Sequence, residues 1–210
     1  MPVLAALFSL ALVTSPADVL RLDVRSFQVV KQSSGPVNYY RVQIGPEGTF
    51  LRALYMWPLE TVVLGLEVPN HFRRGLKTLR WRWRVHAQPP GGDDCQPDVG
   101  DAAAGVFVNF RAGLKGFVIK YVWNSGGAAG RSCELINWLF FAKRVVVLRS
   151  GGPLDTWESE AVDPRADFVR YFGGRPDDVP DLVGLGILTD GDATRSRSEA
   201  DYGDFELVAH

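Results

Sequence analysis

The sequence predicts an all-β fold, an antiparallel β-sandwich of the jelly-roll type with about ten strands and one short helix. Three observations carry that prediction. Short apolar or alternating runs recur along the chain, each bounded by turn residues. Glycine and proline number 22 and 13, about a sixth of the chain where ~12% is typical. Only one segment carries a full set of helix start and stop signals. Many short strands with frequent tight turns belong to sandwiches and barrels.

The strand-like runs, in order, are Val19–Phe27, Asn38–Ile44, Phe50–Tyr55, Thr78–Ala87, Gly105–Phe110, Gly116–Trp123, Lys143–Leu148, Thr156–Val162, Leu182–Thr189 and Phe205–Ala209. Clusters such as Ser33-Ser34-Gly35-Pro36, Gly45-Pro46-Glu47-Gly48, Pro89-Pro90-Gly91-Gly92 and Ser150-Gly151-Gly152-Pro153 separate them. The helix follows Asp163, which can cap it. Pro164 suits the first helical position, Phe168 and Phe172 share a face at i, i+4, and Gly173 can end it. No repeat and no long linker occurs, so residues 18–210 read as a single β-sandwich domain.

Charge and composition narrow the function classes. With 23 basic and 24 acidic residues the formal net charge is -1, so the basic excess needed for a broad grip on nucleic acid is missing. Hydrophobic and charged fractions of 46% and 22% belong to a globular chain rather than a disordered one. Residues 1–17 hold no charged side chain, and Val3–Val13 is apolar or small apart from Ser9. The run is too short to span a bilayer, which takes about 20 residues, but it suits a signal peptide. Ser15-Pro16-Ala17 supplies small residues for cleavage before Asp18, although the leading segment lacks Lys and Arg. The competing reading is a buried first strand. Export to the periplasm or the extracellular space is expected, with no transmembrane segment in the mature chain.

The two cysteines, Cys95 and Cys133, both lie in glycine-rich loops. In an exported protein such a pair fits one disulfide, and the alternative is two unrelated thiols. Neither belongs to a C-x-x-C motif and only three histidines are present, which excludes an ordinary Cys/His zinc site.

Thr78–Ala87 is the strand richest in chemistry. Alternation puts Leu79, Trp81, Trp83 and Val85 on one face and Arg80, Arg82, Arg84 and His86 on the other. Three guanidiniums about 7 Å apart along one strand repel unless acids lie opposite. The stripe is thus either a solvated arginine–carboxylate ladder or one wall of a groove for hydroxyl-rich or anionic ligands. Asp190 and Asp192, at i, i+2 after an apolar strand, can converge on a hard cation or stabilise a turn. An EF-hand is excluded, because Arg195 stands where that loop needs glycine. In Trp157-Glu158-Ser159-Glu160 the two glutamates share a strand face. They can act as the carboxylate pair of a retaining glycosidase, ~5–5.5 Å apart, or pair with arginines. Tyr121 and Trp123, on one face of their strand, and Trp57-Pro58 are candidate platforms for sugar rings, with core packing as the alternative.

The order of these motifs resembles the bacterial domain-of-unknown-function 3047 family, from about Tyr39 to Leu207. The carriers begin with Leu79-Arg80-Trp81-Arg82-Trp83-Arg84-Val85 and Gly100-Asp101-Ala102-Ala103-Ala104-Gly105-Val106-Phe107-Val108. They continue with Tyr121-Val122-Trp123-Asn124, Trp157-Glu158-Ser159-Glu160 and Phe172-Gly173. Ile187-Leu188-Thr189-Asp190-Gly191-Asp192 and Tyr202-Gly203-Asp204 complete them. The resemblance implies an exported bacterial protein with a strand order like the galactose-binding jelly roll of many carbohydrate-binding modules. By the same analogy, Asp204 on the closing strand stands near a structural Ca²⁺ site. It implies no other cofactor and no established activity. The chain departs from the family pattern at Gly100, Gly105, Ala161 and Ala193, which stand where members carry an acid, two arginines and an asparagine. Those departures thin the family's polar cluster.

The resulting expectation is an exported jelly roll that binds carbohydrate or another cell-envelope polymer. Its polar surface would be Arg80, Arg82, Arg84, Asp101, Glu158, Glu160, Asp190 and Asp192, with Tyr121 and Trp123 as aromatic contacts. Two alternatives stand beside it. One is a glycan hydrolase using Glu158 and Glu160 with Asp190; the other is a structural envelope protein without a ligand.

Overall fold

A computed structural model describes residues 18–209 of the chain; the expected signal peptide, residues 1–17, lies outside the described residues. The strands are β1 (Asp18–Arg21), β2 (Gln28–Val29), β3 (Tyr40–Gly45), β4 (Gly48–Tyr55), β5 (Leu64–Glu67), β6 (Leu76–Ala87) and β7 (Ala104–Ala112). They continue as β8 (Lys115–Asn124), β9 (Ser132–Asn137), β10 (Phe141–Ser150), β11 (Glu158–Val162), β12 (Asp181–Leu188) and β13 (Ser198–Ala209), with helix α1 (Pro164–Phe172) between β11 and β12. Two sheets face each other as a jelly-roll sandwich. The six-stranded sheet runs β11-β6-β13-β4-β3, with β1 also paired to β13, and the seven-stranded sheet runs β2-β5-β12-β7-β8-β10-β9.

Alternation explains the core. The inward residues of β6, including Trp81 and Trp83, meet Tyr121 and Trp123 of β8 across the sandwich. Ring centroids are 5.9 Å apart for Trp81–Tyr121 and for Trp83–Trp123. Each such buried side chain contributes roughly 1.5–3 kcal/mol relative to exposure. Helix α1 forms as its signals indicate. The Asp163 carboxylate accepts from the backbone N–H of Arg165 at 3.1 Å and of Ala166 at 2.9 Å, and Gly173 leaves the helix at φ 81°. Its Phe168 packs on Phe110 and Phe117, closing one end of the core.

Several expectations need correction. The first run is not one strand to Phe27, because Asp23 caps a 3-10 turn over Val24–Ser26. Strands β2, β5 and β9 were not foreseen; β5 reads as part of a continuous apolar stretch, and β9 is an exposed edge strand with little apolar alternation. Strand β13 begins at Ser198, well before Phe205, since its Asp201, Gly203 and Asp204 look like turn residues. Not every neighbouring pair is antiparallel: β10 runs parallel to β8, while β9 pairs with its outer edge.

Residues 88–103 leave β6 and fold over the outer face of the seven-stranded sheet. There Ala102 packs with Val122, Val145 and Val147 in a small second core beside Cys95 and Cys133. Those two cysteines are joined as a disulfide across a sequence separation of 38, tying the covering loop to β9. The loop's path needs Gly92, where a Cβ would stand 2.8 Å from the Asp101 carbonyl oxygen.

Candidate functional site

The arginine stripe lies on the outer face of the six-stranded sheet, and its acids come from β13 and, for Arg84, also from Glu47 of the β3–β4 turn at 3.1 Å. In register, Asp201 sits between Arg84 of β6 and Arg52 of β4. Its fully buried carboxylate accepts from Arg52 at 2.7 and 2.9 Å and from Arg84 at 3.0 and 2.8 Å. His86 Nε2 adds a contact at 2.8 Å. Burial pushes Asp201 up, but the hydrogen bonds from Arg52, His86 and Arg84 outweigh it and hold the carboxyl well below its ordinary range. His86 is raised, first by its hydrogen bond to Asp201, with burial opposing and Asp155 assisting.

Arg82 pairs with Asp204 at 2.8 Å, and Arg80 reaches Glu206 at 3.7 Å. Trp157, from the β10–β11 connection, lies over the guanidiniums of Arg82 and Arg84 at 4.2 and 4.5 Å. Cation and ring faces are therefore stacked and partly desolvated. Asp101, Asp190, Glu158 and Glu160, expected beside this stripe, lie elsewhere. Asp201 went unseen because it belongs to the part of β13 that reads as a turn, and no local pattern pairs Asp204 or Glu206 with a strand more than a hundred residues earlier.

Glu158 and Glu160 sit on the tryptophan side of edge strand β11, in register with Trp83 and Trp81. Both engage Arg149 of β10: Glu158 at 2.8 Å, and Glu160 through Arg149 Nε while also accepting from Trp83 Nε1 at 3.1 Å. One guanidinium held by two carboxylates clamps the open edge of the sandwich. In this arrangement both glutamates are engaged by the protein's own arginine.

Tyr121 and Trp123 are fully buried. The Tyr121 hydroxyl donates to Asp167 at 2.7 Å and Trp123 Nε1 to the Gly151 carbonyl at 2.6 Å. They are core residues rather than ligand platforms, because the strand face they share is the inward one. Trp57, by contrast, is half exposed.

A third cluster joins the end of the covering loop to the β12–β13 turn. Carboxylate oxygens of Asp101, Asp190 and Asp192 lie within 4.8 Å of one another. Asp101 accepts from the backbone N–H of Ala193 and Thr194 and from the Thr194 hydroxyl at 3.2, 2.7 and 2.6 Å. Asp190 accepts from Ala102 N–H at 3.2 Å. Beneath them, buried Lys120 meets buried Asp94 at 2.5 Å.

Burial pushes Asp190 up to about 7 against the pull of Lys120. Lys143 on β10 is lowered to about 8, by burial and then by Lys120. Asp101 is engaged by donors of the β12–β13 turn and Lys120 supplies positive charge nearby, so these three carboxylates alone do not make up the six to eight oxygens that Ca²⁺ takes. Asp204 is not part of it: its exposed carboxylate faces Arg82 on the other sheet.

The outer face of the seven-stranded sheet carries the feature that sequence reading missed. A groove of about 1020 Å³ crosses β2, β5, β12 and β7, lined among others by Gln28, Gly65, Glu67, Asn109, Arg111 and Gly184. Its floor is low because Gly65 pairs with Gly186 and Gly184 lies beside Asn109. Further along the same face Phe107 is flanked by the ammonium groups of Lys120 and Lys143, each 5.4 Å from its ring centroid. The alternating glycines of β12 were a readable signal, since outward glycines on a strand mark close approach.

Polar groups here have few internal partners. Asn109 makes one long bond, 3.4 Å to the Gly184 carbonyl, and Glu67 one contact of 3.6 Å with Arg73.

A sequence profile described as "Protein of unknown function (DUF3047)" matches residues 62–206, more than half of the chain. Comparison with curated proteins gave no match. Among solved structures, a family 11 carbohydrate-binding module from Clostridium thermocellum, in complex with a β-1,3-1,4-mixed-linked tetrasaccharide, is similar at 6% identity. The likeness covers 92% of this chain and 88% of that one, with a TM-score of 0.41. The xyloglucanase domain of NopAA, a type three effector from Sinorhizobium fredii, in complex with cellobiose, shares 8% identity over 93% and 97% of the two chains, at a TM-score of 0.47. Endoglucanase 3 of Trichoderma harzianum, from family GH12, shares 10% over 93% and 98%, at 0.43. No residue role follows from likenesses of this size. Among the described residues no helix is long and apolar enough to cross a membrane.

Proposed function

The chain belongs to the DUF3047 family of proteins of unknown function, and we propose that it is an exported jelly-roll protein that binds a hydroxyl-rich polymer. A polysaccharide or other carbohydrate of the cell envelope would lie in the groove across the seven-stranded sheet. The observation that carries this reading is the contrast between the two outer faces. On the six-stranded sheet each arginine of the stripe is engaged by a carboxylate of the protein itself. In the groove, amide, carboxylate and guanidinium groups of Gln28, Glu67, Asn109 and Arg111 surround a glycine floor with few internal bonds. Sugar hydroxyls both donate and accept, so such mixed groups suit them, and Phe107 offers an apolar ring beside them. The disulfide is consistent with an oxidising compartment outside the cytoplasm.

Affinity electrophoresis and titration calorimetry with soluble glucans, xylans and mannans test this. Asn109→Ala with Glu67→Ala is expected to weaken binding about tenfold or more, as loss of one or two hydrogen bonds would. Arg82→Ala should leave affinity unchanged while lowering stability. Absence of binding to the whole panel by folded protein, or loss of binding only in Arg82→Ala, would overturn the proposal.

A further inference from the structure

At one end of the seven-stranded sheet two neighbouring turns carry apolar side chains with no cover. In the β7–β8 turn Leu114 is 80% exposed. In the β9–β10 turn Trp138, Leu139 and Phe140 are 73%, 74% and 56% exposed. The turns are neighbours, because the backbone N–H of Gly116, two residues after Leu114 at the start of β8, donates to the Phe140 carbonyl at 3.0 Å. Exposed apolar groups gathered this way mark an interaction surface, whereas single ones need no explanation.

Cations stand at the base of the patch. Arg111 Nε folds back onto the Gly113 carbonyl at 3.2 Å, and the Lys115 ammonium lies 5.0 Å from the Phe117 ring centroid. Among the described residues neither is ion-paired, unlike the arginines of the six-stranded sheet. Lys115, without an ion pair among the described residues, thus stands beside a protruding apolar tip, and Arg111 stands behind it opposite Asp181, which Arg74 holds at 2.6 Å.

We propose that these paired turns are an anchor that inserts into the surface of an anionic lipid bilayer. Leucine and phenylalanine enter the acyl region, tryptophan lies at its boundary, and Lys115 meets the headgroups. A convex apolar tip can enter a bilayer without a shaped counterpart. Tryptophan favours the boundary because its ring is apolar and its N–H is polar. Basic residues beside an apolar insertion add attraction to anionic headgroups. The charge complementarity selects this occupant over a second copy of the chain.

Vesicles of phosphatidylcholine with phosphatidylglycerol, and of phosphatidylcholine alone, test the anchor with the full chain. Brominated acyl chains are expected to quench tryptophan fluorescence in the wild type, and the quenching should vanish in Trp138→Phe. Leu139→Ser with Phe140→Ser should reduce sedimentation with the anionic vesicles on the order of tenfold. Lys115→Glu should weaken it several-fold, with polysaccharide binding intact in every variant. Quenching equal in Trp138→Phe and wild type would overturn the proposal, as would preference for neither vesicle. So would a dimer that Leu139→Ser dissociates in light scattering, or polysaccharide binding lost with Trp138→Phe.

Discussion

Asp201 is the carboxylate on which the outer face of the six-stranded sheet converges. It answers Arg52, Arg84 and His86 at once from a position with no solvent contact. Removing one member of a buried ionic set leaves the others uncompensated, which costs more than the set contributes when complete. Asp201→Asn is therefore expected to lower stability by about 3 kcal/mol, read from the midpoint of urea unfolding. A loss within ~0.5 kcal/mol, typical of ordinary surface substitutions, would show that the face tolerates Arg84 held by Glu47 alone. The arginines of this face were legible from alternation along Thr78–Ala87. Their partners were not, because Asp201 is separated from Arg84 by |i−j| of 117 and sits among residues with turn character.

At the level of elements, the covering loop 88–103 depends on its tether. The disulfide from Cys95 to Cys133 spans 38 residues and holds the loop, with its Asp94, over Lys120 and the small second core. Chain-entropy arguments for a closed loop of that size give about 3–4 kcal/mol. Cys95→Ser with Cys133→Ser is expected to lose that stability in thermal or urea unfolding and to raise hydrogen exchange in residues 88–103. Unchanged exchange there would mean that the Asp101–Thr194 and Asp93–Arg131 contacts hold the loop unaided. Helix α1 shows the opposite case, an element whose cap, proline, aromatic pair and terminal glycine are all local and were all read from the sequence. Strand β9 had no such signal. It is a strand only because β10 offers it an edge.

Across the whole molecule, the opposed charges give stability a defined dependence on pH. His86 is raised in the folded state. Its contribution is complete below the unfolded value near ~6.5 and is lost as pH rises through the folded value. Asp201, held low, contributes above ~3.9 and loses that contribution as pH falls through its folded value. The midpoint of urea unfolding is expected to fall from about pH 6.5 upward in the wild type, and this decline should be missing in His86→Gln. An identical alkaline decline in both proteins would assign it to another group.

The jelly-roll class, most strands, the helix and the identity of the chemically rich segments followed from the sequence alone. Periodicity, caps and turn residues act over a few positions and leave a local trace. Which face of a strand is buried against what, and therefore which charges remain free, was decided only by tertiary structure. Alternation states that Tyr121 and Trp123 share a side, yet only sheet stacking makes that side the interior. The same stacking couples Glu158 and Glu160 to Arg149 and sends Asp201 to the arginines. It also leaves the glycine-floored groove and the apolar turns facing solvent. Such outcomes rest on contacts between residues far apart in the chain, for which single-sequence patterns carry no signal.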